Sequence, residues 1–116
     1  VPGVGYVIRR GGACVAFSGD TGPTEAFWRK VAACADLRGL FVEVSFAAAQ
    51  RELAARTLHL STADLPAETA KAGNLENVPC FAYHLKPESA DAIRKELGEL
   101  TAPAVRAVRA GEDLRL

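Results

Sequence analysis

Apolar residues fall in short runs that change period along the chain. GYVIRR (5–10) and ACVAFSG (13–19) are β-prone and flank Gly11-Gly12, a pair able to take the positive φ of a tight turn, so they predict a β-hairpin. Pro23 and Thr24 open a predicted helix that runs to about residue 36, with Phe27, Trp28 and Val31 on its apolar face and LRG (37–39) closing it. LFVEVSF (40–46) is almost continuously apolar and predicts a strand covered on both faces, with Glu43 in its middle. AAAQRELAART (47–57) is helical by propensity. STADLPAETAKAG (61–73) predicts a helix capped by Ser61 or Thr62 and ended by Gly73. VPCFAY (78–83) is a further buried strand, and it delivers His84 at its end. KPESADAIRKELGEL (86–100) follows as a helix with Pro87 in its first turn and Ile93 and Leu97 on one face. AVRAV (104–108), a turn at AGED and LRL (114–116) predict two closing strands. Strands alternating with helices give an α/β fold, a mixed sheet packed against helices.

At 116 residues, 49% of them apolar, the chain has the size and content of one domain with a modest core. Its 14 basic and 14 acidic residues cancel, so no nucleic-acid or membrane partner is expected. Cys14, Cys34 and Cys80 are odd in number and each sits in an apolar run, the pattern of buried reduced thiols, which suggests the cytoplasm. No apolar stretch of about 18 residues is present, and VPGVGYVIRR lacks the order of a signal peptide. The chain contains no methionine, which suggests a processed product or a fragment.

The chemistry begins in VAFSGDTGP (15–23), where an apolar strand runs into an aspartate hemmed by glycines. Asp20 is either a turn former or a ligand. His84 likewise follows a strand, Glu43 lies inside one, and His59 precedes a helix start. Strand ends in helix-covered sheets present side chains to one crevice. Each residue also has a plain reading, as a turn residue, a hydrogen-bonded histidine or an acid on an edge strand. Together they supply what a hydrolytic divalent-metal site requires, since carboxylate and imidazole hold the cation. Glu43 and His59 suit a dyad in which the carboxylate orients the imidazole and raises its basicity.

GYVI, FSGDTGPTEAFW, LFVEVSF, HLST and YHLKP, in this order, resemble the C-terminal half of class II 3′,5′-cyclic-nucleotide phosphodiesterases, hydrolases of the metallo-β-lactamase fold. The chain is more distantly similar to the tRNA 3′-processing endonucleases of that superfamily. The resemblance spans essentially the whole chain and implies half of an αββα sandwich. It implies that Asp20 bridges two divalent metal ions, with zinc favoured over manganese or iron, and that His84 is a metal ligand. Glu43 and His59 match the family's proton-relay pair. Lys86 is expected near the substrate phosphate, or else is a solvated lysine at a helix start. The implied substrate is a small cyclic nucleotide.

Two departures qualify that pattern. SFAAA (45–49) stands where the family has SFPN, and the HxHxDH motif of the family's first half is absent from this sequence. The chain alone is therefore expected to be inactive, with an uncovered sheet face that the missing N-terminal half or a second copy would cover. A tRNA-processing activity and a non-catalytic α/β interaction module are the alternatives.

Overall fold

The computed structural model describes residues 4–116. Strands β1 (Tyr6–Arg10) and β2 (Ala13–Phe17) form the hairpin, with Gly11 at φ +62° in its turn. Helix α1 (Ala26–Ala32) leads to β3 (Asp36–Glu43), and a 3₁₀ turn at Ala48–Gln50 runs into α2 (Arg51–Arg56). Helix α3 (Leu65–Ala70), β4 (Cys80–Tyr83), a 3₁₀ turn at Pro87–Ser89 that enters α4 (Ala90–Leu97), and β5 (Val105–Ala107) complete the order. The five strands lie side by side in chain order; β1 and β2 are antiparallel and every later pair is parallel.

Alternation along the strands sorts the side chains between two unlike faces. Cys14, Ala16, Leu40, Val42 and Ala82 point to one side, where they pack with Trp28 and Val31 of α1, Leu65 of α3, and Ile93 and Leu97 of α4. Each large apolar side chain withdrawn from water here contributes about 1.5–3 kcal/mol. The opposite face carries a row that crosses every strand, in which Tyr6 pairs with Phe17, Phe17 with Phe41, Phe41 with Phe81, and Phe81 with Arg106. Phe17 stacks on Phe41 at 4.6 Å and Phe41 on Phe81 at 5.0 Å, with the Arg106 guanidinium 5.2 Å over Phe81. Tyr6 and Ile8 on this face are 61% and 58% exposed.

Several boundaries depart from the sequence pattern. Helix α1 starts at Ala26, because the Thr24 N–H is taken by the Glu68 carboxylate at 2.9 Å. The LRG segment does not close a helix but lies within β3, where Leu37 is buried and Leu116 lies so close to Gly39 that an added Cβ there would meet its Cδ1 at 3.0 Å. Strand β3 ends at Glu43, so the acid is terminal rather than central; beyond it the Ser45 N–H turns to the Leu60 carbonyl at 3.1 Å. Ser61 and Thr62 do not cap α3. The Asp64 carboxylate instead accepts the Ser61 N–H and hydroxyl at 2.9 and 2.8 Å in a preceding turn, while Gly73, at φ +73°, follows α3 as expected. LRL forms no strand: Glu112 accepts the Arg109 N–H at 3.0 Å and pairs with Arg106 at 2.8 Å, which turns the chain off the sheet.

Candidate functional site

Parallel pairing brings the C-terminal ends of β2, β3 and β4 to one edge of the sheet. Past β2, the Ser18 N–H donates to the Phe41 carbonyl and the Ser18 Oγ accepts the Glu43 N–H, each at 2.9 Å. Gly19 then takes φ +63°, and a Cβ there would collide with the Val4 carbonyl, so the swing that presents Asp20 at the edge depends on glycine. His84 leaves β4 with φ +65°, a left-handed conformation uncommon for a residue with a side chain. Leu58, at φ +59°, stands where helices often end in glycine, and the His59 N–H closes back onto the Ala54 carbonyl at 2.9 Å. Asp20, Glu43, His59 and His84 are thereby brought together.

Within this group His59 Nδ1 lies 2.5 Å from Glu43 Oε1, with the acid fully buried and the imidazole 18% exposed. Glu43 Oε2 accepts the Leu60 N–H at 3.2 Å, and Oε1 accepts the Thr21 N–H at 3.4 Å. Burial raises the Glu43 carboxyl above its ordinary pKa, against the opposing pull of hydrogen bonds from His59 and Leu60. His84 Nδ1 faces Asp20 Oδ1 at 3.4 Å, and both of these side chains are open to solvent. Ser45, buried between the histidines, donates its hydroxyl to the His84 carbonyl at 3.1 Å and stands 3.1 Å from His84 Nδ1 and 3.4 Å from His59 Nδ1. Sequence reasoning missed Ser45 and Thr21. A buried hydroxyl two residues after Glu43 in LFVEVSF was the available signal for the first.

Glu43, His59 and His84 each offer one ligand atom, all within 4.8 Å of one another. Two ligands of one tetrahedral zinc ion, with bonds of about 2.0–2.1 Å, stand about 3.3 Å apart. The Asp20–His84 spacing meets that separation, whereas 2.5 Å between Glu43 and His59 is a hydrogen-bond distance. At that spacing, which is also that of an ion pair, Asp20 and His84 could share a cation, while Glu43 and His59 form a hydrogen-bonded acid–imidazole pair. Lys86 follows two residues later, its N–H bonded to the Ser45 carbonyl at 3.2 Å; its ammonium forms no ion pair among the described residues.

No protein-family model matches the chain, and no curated protein matches it significantly. Solved structures do. A metallo-β-lactamase fold protein, YhfI from Bacillus subtilis, superposes with a TM-score of 0.65 at 19% identity, over 86% of this chain and 39% of its own length. Unliganded yeast PDE1 superposes with a TM-score of 0.64 at 22% identity, over 84% of this chain and 35% of its own. The chain thus spans well under half of either protein. Its mixed sheet and helices, and the four side chains gathered at the sheet edge, are carried on a metallo-β-lactamase-type fold.

Proposed function

We propose that this chain supplies part of the centre of a metal-dependent phosphodiester hydrolase acting on 3′,5′-cyclic nucleotides. The observation that carries the reading is the division of four convergent side chains into a ligand-spaced pair, Asp20 and His84 at 3.4 Å, and a proton-transfer pair, Glu43 and His59 at 2.5 Å. The class II phosphodiesterase motifs, and the likeness of the fold to yeast PDE1, support the substrate class.

Asp20 and His84 would hold metal, preferably zinc, although manganese or iron would also accept these donors. Divalent cations bound there would polarise the phosphoryl oxygens and ease deprotonation of water. Two protein ligands are fewer than the three of a catalytic zinc site, so the remainder come from elsewhere in the intact protein. Glu43 accepts Nδ1–H of His59 and leaves the lone pair on Nε2, which takes up the proton that the attacking water loses. His59 then returns that proton to the departing 3′ oxygen, and the buried carboxylate offsets the imidazolium charge. Lys86 contributes charge toward the substrate phosphate.

The aromatic row needs a cover, and the rest of the sandwich or a second copy of the chain provides it. Tyr6 and Ile8, both more than half exposed, support this.

Metal content and turnover of cyclic AMP in the intact protein test the assignment. Asp20→Ala is expected to lose both together, and His59→Ala to keep the metal and lose turnover. Equal metal loss in the two variants would overturn the division of roles.

A further inference from the structure

Strand β1 ends one side of the sheet and pairs only with β2. The hairpin turn holds two residues, Gly11 and Gly12, so Arg10 and Ala13, which flank it, exchange both of their backbone hydrogen bonds. Alternation then assigns the backbone groups of Tyr6, Ile8 and Arg10 to β2 and turns those of Val7 and Arg9 outward. Among the described residues, neither Val7 nor Arg9 makes a backbone hydrogen bond to another segment. Such an edge is a template for one more strand.

The side chains indicate which strand fits. Tyr6, Ile8 and Arg10 lie on the face of the aromatic row, where Tyr6 and Ile8 are more than half exposed, and Val7 and Arg9 lie on the helix-covered face. Turned about a two-fold axis at Ile8, the middle residue of β1, the strand pairs with a second copy of itself over its whole length. Val7 then stands opposite Arg9 of the second copy on each side of the axis. These are the outward-facing residues, so their free N–H and carbonyl groups satisfy one another. Ile8 meets Ile8 of the second copy in the closer, non-hydrogen-bonded kind of pair, which puts apolar surface on apolar surface. Tyr6 meets Arg10 of the second copy, a guanidinium beside an aromatic ring. No arginine faces an arginine. An axis at Arg9 would oppose Arg9 to its own copy, an in-register parallel partner would oppose both arginines to theirs, and an axis at Val7 would leave Arg9 and Arg10 outside the paired strand. The strand is complementary to itself in the Ile8 register.

We propose that two copies of the chain associate edge to edge through β1, antiparallel about Ile8, and join their five-stranded sheets into one. This surface is the rim of the sheet, distinct from the aromatic row that is covered face on, and the inference does not rest on the hydrolase reading.

Cysteine cross-linking of the 116-residue chain tests it. Under a mild thiol oxidant Ile8→Cys is expected to give a disulfide-linked dimer, because facing Cα atoms in such a pair stand about 4.5 Å apart, within disulfide reach. Arg10→Cys is expected to cross-link about tenfold less, because its copy lies four residues along the strand, about 13 Å away. Cys14, Cys34 and Cys80 are buried, and the chain without an added cysteine supplies the background. Val7→Pro deletes an N–H that β2 does not use, at the kind of edge position that accepts proline. It should lower the Ile8→Cys cross-link by about tenfold or more with an unchanged circular dichroism spectrum, whereas a dimer held face on through the aromatic row would survive it. The comparison of positions 8 and 10 stands without that variant. Equal cross-linking at the two positions, or a dimer that persists in folded Val7→Pro, would overturn the pairing. No dimer at position 8 would overturn it too, and would leave the edge to another segment of the intact protein.

Discussion

His59 and Glu43 meet at 2.5 Å across sixteen residues of sequence, and the carboxylate is fully withdrawn from water while the imidazole is not. A buried acid held by one imidazole and two backbone N–H groups orients that imidazole. In the intact protein, Glu43→Gln and His59→Ala should each lower kcat by about 10²–10⁴. Because the pair acts as a unit, the double variant should lose little more than either single one. Losses that simply add would show that the two residues act separately.

Glu68 fixes α3 to α1 from within the core. It is 4% exposed, and its Oε1 accepts the Thr24 N–H at 2.9 Å and Trp28 Nε1 at 3.1 Å, while Lys71 pairs with Oε2 at 2.5 Å. Glu68→Ala strands one buried and one partly buried donor, and urea denaturation should show a loss of about 2–4 kcal/mol. Emission from Trp28, the single tryptophan, should change as its indole N–H loses the carboxylate acceptor. Glu68→Gln keeps an acceptor and should cost about half as much.

Cys80 is buried in the core, and desolvation pushes its thiol from the ordinary 9.0 up to about 11. The folded chain therefore holds this proton more tightly than the unfolded one. Its contribution is intact below pH 9, where both states are protonated, and falls away as pH rises from there to about 11. The full loss corresponds to about 3 kcal/mol. Stability measured across that window should fall more steeply in the wild type than in Cys80→Ala, and identical slopes would count against the assignment.

Phe41 occupies the centre of the aromatic row, stacked on both sides. If the sheet face seeks a cover, the isolated chain should associate with itself as concentration rises, and Phe41→Ser should weaken that association by about tenfold or more. Sedimentation equilibrium of the two proteins makes the comparison. A wild type that stays monomeric at high concentration would leave the row without a self-association role.

Much of this arrangement was legible in local sequence. Gly-Gly between β-prone runs marked the hairpin, and glycines around Asp20 marked a place where the backbone had to depart from the strand. His84 is legible as a polar residue closing an apolar run, and Glu43 as an acid interrupting one. Local pattern failed where a distant residue decided the outcome. Helix α1 begins late because Glu68, forty-four residues on, takes the N–H of Thr24. Ser45 belongs between the histidines only once three strand ends have been drawn together. LRL looked like a strand, but Glu112 and Arg106 turned the chain away from the sheet.

The spatial order of the strands repeats their order in the chain. A sheet laid down in this way never requires a late strand to insert between two already paired ones. Within this stretch each strand leaving the ribosome finds its neighbour at the growing edge, so assembly can keep pace with translation from the β1–β2 hairpin onward. The catalytic candidates arrive in the same sequence: Asp20 with the first pairing, Glu43 with the next, and His84 once the fourth strand has docked. A nascent chain halted before that strand would carry the acids of the site without its final imidazole.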